Sequence, residues 1–250
     1  SLSARTLAFI GLAVIVLHGG VTFLLPEGSP LRIALTPLFG STAFPLGVTT
    51  MIIGYPPIPW SGILLTGFGL GELFLRPATT GRQWLTIGLA ALAAFVVIRL
   101  INGYGDPSPW QFMDRPGYTV LSFLNVTKYP PSLDFTLLFL GLMFILLPLM
   151  QPTNRFTGIL SIYGKVPLFY FLTHWYLIHP LLLAFILAEG FAWSDLVFGF
   201  RFGRPETFTG YSLWVVYLVW AVTVMVLYPI CRWYYRYKSA HPEKRWLRYL

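Results

Sequence analysis

The sequence predicts an all-α protein, a polytopic transmembrane helical bundle of about six spans with both termini in the cytoplasm. Of the 250 residues, 56% are hydrophobic and only 10% are charged, and the mean hydropathy is +0.68. Soluble domains carry about 25% charged residues. Apolar windows of about 20 residues, the length needed to cross a bilayer, recur along the chain. Basic residues are concentrated in alternate loops, as the positive-inside rule requires.

Six apolar windows mark the predicted spans, and segments that are polar or rich in Pro and Gly separate them. The fifth window is too long for one straight crossing, so we expect Pro167 or Pro180 to kink it or to separate a short interfacial piece. Residues 31–57 are compatible with a short helix followed by a buried extended piece. The windows cover residues 4–25, 58–75, 83–102, 132–150, 158–188 and 211–233.

The orientation follows from the lysines and arginines that flank the spans. With six spans, every segment with an excess of basic residues falls on one side of the membrane, which predicts that both termini are cytoplasmic. The basic residues on this side are Arg5, Arg76, Arg82, Arg155, Lys165, Arg232, Arg236, Lys238, Lys244, Arg245 and Arg248.

Composition and motifs exclude several classes of function. The net charge of +8 is concentrated at the C-terminus, and no nucleic-acid-binding motif is present. The single Cys231 excludes an internal disulfide and a cysteine-based metal site. His174 and His179, five residues apart in the fifth span, point about 140° apart on a helix, so no metal site is expected.

Local patterns predict three packing features. Gly67 and Gly71 form a GxxxG pair, which predicts a close approach between helix backbones. Glu72 and Arg76 lie one helical turn apart, so a local ion pair is expected. The prolines at 130 and 131 favour extended backbone before span four, so Pro131 or Ser132 is predicted in its first helical turn.

Polar residues are predicted to gather at the outer ends of spans two to five, around a cavity that opens outward. Ionisable groups at membrane depth usually face a protein interior or a wet cavity. For Arg99 the competing explanation is snorkelling to the interface, and for Asp134 it is capping of span four. The site-lining candidates are His174, His179, Tyr129, Asn102, Asn125, Lys128, Ser132 and Asp106.

Basic residues on the cytoplasmic side are candidates for binding the phosphates of a soluble donor such as a coenzyme A ester. The competing explanation is that they only reflect the positive-inside bias. These donor-phosphate candidates are Arg76, Arg82, Arg155 and Lys165.

Four stretches carry a resemblance to a known family. They are Tyr55-Pro-Pro-Ile-Pro-Trp-Ser-Gly62, Phe123-Leu-Asn-Val-Thr-Lys-Tyr-Pro-Pro-Ser-Leu133, Val166-Pro-Leu-Phe-Tyr with the later His174 and His179, and Trp246-Leu-Arg-Tyr-Leu250. Together they resemble bacterial membrane proteins related to the heparan-α-glucosaminide N-acetyltransferase catalytic domain. The resemblance covers essentially all of this chain, but only the C-terminal part of that domain. It therefore implies one transmembrane domain over residues 1–250, as the C-terminal part of a larger acyltransferase-like domain.

The resemblance implies an acyltransferase of the bacterial inner membrane that moves an acetyl group from acetyl-CoA to an amino sugar or similar acceptor. In acyl transfer, histidines could serve as the base, and Asn and Tyr side chains as oxyanion donors. The family's Asp-x-x-Arg-Gly signature and catalytic histidine are not in this sequence, so His174 and His179 are expected only to line the site. The catalytic residues stay unknown, and we expect that the chain alone does not catalyse acetyl transfer.

Two other functions remain open from the sequence. The chain could be a non-catalytic transmembrane subunit or scaffold of a larger membrane complex, or it could be a transporter with a polar outward cavity. The expected partners are membrane lipids, an N-terminal segment or other membrane subunits, and a sugar or lipid-linked acceptor if the protein is an enzyme. No nucleic acid is expected.

Overall fold

A computed structural model describes residues 2–26, 28–47, 49–76, 80–150, 154–198 and 201–248. The chain divides into two compact units, Ser1–Gln151 and Pro152–Leu250. Six helices in the described residues are long and apolar enough to cross a membrane. The predicted class, a helical transmembrane bundle, is therefore confirmed.

The first unit contains seven helices and one β-hairpin in its described residues. The strands of the hairpin pair antiparallel, with Thr42 opposite Ile53. Met51 and Ile52 are exposed, so the prediction of a buried extended piece is wrong at this point. The elements are α1 (Ala4–Leu17), α2 (Gly19–Leu24), α3 (Pro30–Phe39), β1 (Thr42–Leu46), β2 (Thr49–Ile53), α4 (Pro57–Leu75), α5 (Gly81–Ile101), α6 (Pro116–Leu124) and α7 (Leu133–Met150).

Helices α1 and α4 pack against each other through small residues. A Cβ atom at Gly11 would lie 2.5 Å from the amide nitrogen of Thr66, and one at Gly69 would lie 2.5 Å from the Cβ of Ala8. The start of α1 thus lies beside the end of α4, and the pair is antiparallel. Small residues allow this close backbone approach, which strengthens van der Waals packing in a lipid environment.

The glycine pair that was predicted to mediate close packing does not do so. A Cβ atom at Gly67 or Gly71 would meet nothing within 4 Å in the described part of the chain. The GxxxG spacing is correct for a packing face, but α4 turns a different face, with Gly62 and Gly69, toward α1. The predicted ion pair on α4 is confirmed, since Arg76 Nη2 lies 2.6 Å from Oε1 of Glu72.

Helices α5 and α7 form a second antiparallel pair. A Cβ atom at Gly88 would lie 2.8 Å from the carbonyl oxygen of Gly141, and the rings of Trp84 and Phe144 stack with centroids 5.6 Å apart. These contacts join the middle of α5 to the middle of α7.

The antiparallel packing sorts the helix ends of the first unit into two groups. Tyr104, just after α5, donates a hydrogen bond to the carbonyl oxygen of Val16, near the end of α1. The end of α5 and the start of α7 lie at this end of the unit. Arg5, Arg76 and Arg82 lie at the opposite end. These three arginines thus share one end of the first unit.

The second unit contains α8 (Arg155–Lys165), α9 (Pro167–Ala188) and α10 (Leu213–Ala240), with short 3₁₀ turns at Trp193–Asp195 and Arg245–Arg248. The long fifth window breaks at Val166, immediately before Pro167, which confirms a short piece followed by a long helix. Pro180 lies inside α9. The core of the unit comprises Val166, Leu227, Cys231, Tyr234 and Leu247.

The packing of α1 against α4 generates a test with a matched control on one helix. Gly69→Leu is expected to lower the unfolding free energy by about 1–3 kcal/mol or more, because the new side chain overlaps α1. Gly67→Leu adds the same atoms at an open position and is expected to stay within about 0.5 kcal/mol of the native chain. Thermal unfolding in detergent measures both. Equal losses would contradict the assignment of the packing face.

Candidate functional site

The side chain of Arg99, in the last turn of α5, is buried with 2% of its surface exposed. Its guanidinium group donates hydrogen bonds to four backbone carbonyl oxygens in the following segment. Arg99 therefore does not snorkel to the interface, and that explanation is wrong. The acceptors and donor–acceptor distances are Phe123 at 3.0 Å, Ser108 at 3.0 Å, Ser122 at 3.3 Å and Asn125 at 2.9 Å.

These acceptors explain why an arginine occupies this position. Ser122 and Phe123 belong to the last turn of α6, whose carbonyl groups lack the usual helical partner four residues on. The Ser122 carbonyl oxygen also accepts a hydrogen bond from the Asn125 N–H. The partial negative charge at a helix C-terminus also favours a nearby cation. The planar fork of five N–H donors can serve all four carbonyls at once, whereas a lysine ammonium has only three donors. Arg99 thus fixes the C-terminus of α6 against α5.

Asp134 balances the charge of Arg99. Its Oδ2 atom lies 3.6 Å from Nη1 of Arg99, and 1% of the side chain is exposed. Its backbone N–H donates to the carbonyl oxygen of Gly105. The Oδ1 atom is buried and has no hydrogen-bond partner in the described part of the chain. Asp134 is therefore the buried counterion of Arg99.

A second polar network, centred on Asp106, closes the segment between α5 and α7. The Oδ2 atom of Asp106 accepts hydrogen bonds from the Thr127 N–H and the Ser132 hydroxyl, each at 2.7 Å. Its Oδ1 atom accepts from the Ser108 N–H and the Thr127 hydroxyl, each at 2.8 Å. Asp106 thereby ties both ends of the segment together.

Ser132 also shapes the start of α7. Its hydroxyl oxygen accepts a hydrogen bond from the Phe135 N–H at 2.9 Å, so it caps the helix, which begins at Leu133. The predicted break before span four is confirmed, but Pro131 and Ser132 lie just before the helix and not in its first turn. The cap role that was considered for Asp134 belongs to Ser132.

Asn102 ends α5 in the left-handed region, with φ 55°, a conformation that asparagine tolerates better than most residues. Its side chain exchanges two hydrogen bonds with the backbone of Trp110, each of 3.0 Å. The Trp110 indole donates to the carbonyl oxygen of Arg99 at 2.8 Å. Asn102 therefore holds the segment after α5 against the end of that helix.

Two Tyr-Pro-Pro tripeptides meet at the surface of the first unit. The hydroxyl groups of Tyr55 and Tyr129 are 3.1 Å apart, and their rings contact edge to face with centroids 5.2 Å apart. One proline of each tripeptide, Pro56 and Pro131, is fully buried. The buried prolines hold both stretches against the bundle, while the tyrosines before the prolines stay exposed.

Trp60 and Lys128 complete this group, which we call the Tyr129 cluster (Tyr55, Trp60, Lys128 and Tyr129). The Trp60 ring lies 5.5 Å from the Tyr55 ring, and Lys128 Nζ lies 5.0 Å from the centre of the Tyr129 ring. The Trp60 indole N–H is buried and has no hydrogen-bond partner among the described residues. Aromatic faces, two phenol groups and an ammonium group therefore share one exposed surface.

The neighbours of Tyr129 polarise its phenol group. The hydrogen bond with Tyr55 lowers the pKa of Tyr129 below its ordinary value of 10.0, and the hydrogen bond and positive charge of Lys128 lower it further, against the effect of burial. The same hydrogen bond raises the pKa of Tyr55. Tyr55 is therefore the donor and Tyr129 the acceptor when one of the two ionises.

The sequence prediction included Lys128 and Tyr129 but missed Tyr55 and Trp60 as site residues. The signal that could have found them is the repeated Tyr-Pro-Pro tripeptide, at residues 55–57 and 129–131. Asn125, also predicted, is exposed at the end of α6, and its carbonyl oxygen accepts from Arg99.

The two predicted histidines lie on α9 in the second unit. His179 Nδ1 lies 3.1 Å from the carbonyl oxygen of Trp175, and the His179 ring stacks on the Trp175 ring at 4.0 Å. His174 stacks on Tyr170, and its buried Nδ1 has no hydrogen-bond partner within the described ranges. A cavity shared by His179, Asn102 and Tyr129 stays a prediction.

The predicted donor-phosphate residues are divided between the units. Arg76 pairs with Glu72 at one end of the first unit, and Arg82 is exposed at the start of α5. Arg155 is exposed at the start of α8, and Lys165 Nζ lies 4.6 Å from the centre of the Tyr235 ring. Their role in binding phosphate stays a prediction.

In the part of the chain that the structure describes, no three His, Cys, Asp or Glu residues group as metal ligands. No protein-family model, curated protein or solved structure matches the chain. The class that the structure defines is a polytopic helical membrane protein. The Tyr129 cluster is one exposed polar and aromatic surface of its first unit.

The Arg99 network generates a test of what fixes α6. Arg99→Met is expected to lower the unfolding free energy by about 3–5 kcal/mol, because it leaves a buried carboxylate and several carbonyl groups unpaired. Amide hydrogen exchange in Pro116–Leu124 is expected to accelerate at the same time. Arg82→Met, at an exposed position of the same helix, is the control.

A second variant separates the effect of the unpaired carboxylate from the effect of the unpaired carbonyl groups. Adding Asp134→Leu to Arg99→Met removes the unpaired carboxylate, so part of the lost stability is expected to return. Exchange in α6 is expected to stay fast, because its C-terminal carbonyl groups remain unpaired. Unchanged exchange in Arg99→Met would show that Arg99 does not hold α6.

Proposed function

We propose that this chain is an acyltransferase-like protein of the membrane that binds the acceptor of an acetyl transfer reaction at the Tyr129 cluster. One observation carries the proposal. Two of the stretches that resemble the heparan-α-glucosaminide N-acetyltransferase family, around Tyr55 and around Tyr129, lie far apart in sequence but join at a single surface. Sequence motifs that converge in space are typical of a binding site.

The chemistry of the cluster suits an amino sugar. The aromatic rings of Tyr55, Trp60 and Tyr129 offer flat apolar faces, and the phenol groups of the two tyrosines can orient hydroxyl groups. The ammonium group of Lys128 disfavours a second positive charge nearby, so it favours the neutral form of a bound amine. Only the neutral amine, with its free electron pair, can attack an acetyl group.

The proposed reaction needs only two substrates, the acceptor amine and acetyl-CoA. The amine nitrogen forms a bond to the acetyl carbon of acetyl-CoA, and the carbon–sulfur bond of the thioester breaks. The amine loses one proton, and the coenzyme A thiolate gains one. Tyr129 is proposed as a hydrogen-bond partner of the acceptor and not as the catalytic base.

The proposed donor site binds the phosphate groups at the opposite end of the first unit, and we propose that the pantetheine arm of coenzyme A extends along the bundle to bring the thioester toward the acceptor. Arg76 and Arg82 lie there, and phosphate groups favour arginine partners. The positive-inside rule places this end in the cytoplasm and gives both termini a cytoplasmic location in a bacterial inner membrane. A tag at the C-terminus should react with an impermeant label only after the cells are opened. Labelling of intact cells would contradict this orientation.

Binding of the acceptor tests the proposed function most sharply. Purified chain 1–250 is expected to bind radiolabelled methyl glucosaminide in equilibrium dialysis. Tyr129→Phe should weaken binding by about 2- to 10-fold, the usual effect of one lost hydrogen bond. Lys128→Met should strengthen binding at low pH relative to binding at high pH, because the protonated amine then meets no positive charge from Lys128. Tyr217→Phe, at another exposed tyrosine, should change neither property.

Two results would contradict the proposal. One is that no amino-sugar acceptor binds. The other is that binding survives Tyr129→Phe and Lys128→Met unchanged. Acetyl-CoA turnover is measured in the same samples, and the chain alone is expected to show none. Robust turnover that His174→Ala or His179→Ala abolishes would instead place the catalytic base in α9.

A further inference from the structure

An open groove of about 490 Å³ lies beside α6, just before the Tyr129 cluster in the chain. Asn125, at one end of the groove, is four residues before Tyr129, so their Cα atoms are at most about 14 Å apart. The groove is otherwise mainly apolar. The residues that line it are Met113, Tyr118, Leu121, Ser122, Leu124 and Asn125.

The contacts of α6 place the groove at membrane depth. The ring of Phe123, at the end of α6, contacts the ring of Phe95 on α5 with centroids 5.6 Å apart. Phe95 lies six residues before Ile101, the last residue of α5, which corresponds to about 9 Å along the helix. The segment after α5 therefore folds back along that helix into the depth that α5 spans.

The hydrogen-bonding groups around the end of α6 are satisfied from within, as membrane depth requires, whereas Asp114 and Arg115, just before α6, are exposed. Arg99 binds the carbonyl groups at the end of α6, and the Ser122 hydroxyl accepts from the Gln111 N–H at 3.0 Å. The side chains that α6 turns outward are apolar, with Leu121 61% exposed. The groove thus presents an apolar body to lipid and a polar mouth at Asn125.

We infer that the acceptor is a glycolipid whose hydrocarbon tail lies in the α6 groove while its sugar headgroup reaches the Tyr129 cluster. The inference rests on the proposed function and adds the substrate class. A groove that is apolar, open at membrane depth and continuous in sequence with a polar aromatic cluster suits an amphiphile that arrives through the bilayer. A water-soluble sugar has no hydrocarbon tail that could occupy the groove.

The test uses two glucosaminides with one headgroup and different tails. Purified chain 1–250 in lipid nanodiscs is treated with decyl glucosaminide that carries a photoreactive diazirine in its tail. Labelled residues are mapped by mass spectrometry and are expected at Met113, Leu121 and Leu124. Competition by unlabelled decyl glucosaminide should suppress the labelling at concentrations where methyl glucosaminide does not.

Two variants on the same helix give a matched comparison. Leu121→Trp fills the groove and should reduce labelling there on the order of tenfold. Val120→Trp adds the same ring at a neighbouring exposed residue that does not line the groove, and it should leave labelling unchanged. Elution volume on gel filtration confirms that both variants are folded.

The outcomes separate the inference from the proposed function. If methyl and decyl glucosaminides bind equally and Tyr129→Phe weakens both, the acceptor site stands and the glycolipid inference is overturned. If the tail labels many lipid-facing helices and Leu121→Trp has no effect, the inference is also overturned. If the groove is labelled but unlabelled decyl glucosaminide does not compete, the groove holds ordinary lipid and the glycolipid inference is overturned, while equilibrium dialysis still decides the proposed function.

Discussion

The buried guanidinium group of Arg99 is the interaction on which the first unit depends. A charged side chain at membrane depth costs several kcal/mol unless protein groups replace its water. Here the carbonyl oxygens of the folded-back segment and the carboxylate of Asp134 supply these groups. The requirement is mutual, because irregular backbone at membrane depth also needs donors for its carbonyl groups. One arginine therefore allows α6 to lie against α5.

The Arg99 network also determines where Tyr129 lies. The segment leaves α6 at Asn125, whose carbonyl oxygen is bound to Arg99, and reaches α7 at Ser132, whose hydroxyl is bound to Asp106. Lys128 and Tyr129 occupy the short stretch between these two fixed points. Buried Pro131 on this side and buried Pro56 on the other hold the two tyrosines in contact. The exposed cluster is thus the product of buried charge, hydrogen bonds and proline packing.

The sequence predicted the features that depend on composition and local spacing. The six spans, the break before Pro167 and the Glu72–Arg76 pair all depend on hydropathy, proline geometry or one helical turn, and the structure confirms them. It predicted the wrong packing face of α4, the Gly67–Gly71 pair, because Gly62, Gly67, Gly69 and Gly71 offer more than one small-residue face. That choice depends on the partner helix.

The site was predicted only in part for a similar reason. Lys128, Tyr129 and Ser132 were recognised because they lie in one distinctive motif. Tyr55 and Trp60 join them only through tertiary contacts. The burial of Arg99 could not be read from its position near a helix end, since a snorkelling arginine occupies the same position in sequence. The acceptors that keep it buried lie up to 26 residues away.

Oxidative cross-linking of the native tyrosines tests most directly whether Arg99 brings the two Tyr-Pro-Pro stretches together. The Tyr55–Tyr129 rings lie 5.2 Å apart, and the Tyr163–Tyr170 rings of the second unit lie 5.3 Å apart as an internal control. Brief photo-oxidation should yield dityrosine at both pairs in the native chain. In Arg99→Met, only the Tyr163–Tyr170 product should remain. A native chain that forms the control product without the Tyr55–Tyr129 product, or an Arg99→Met chain that retains both, would contradict the account.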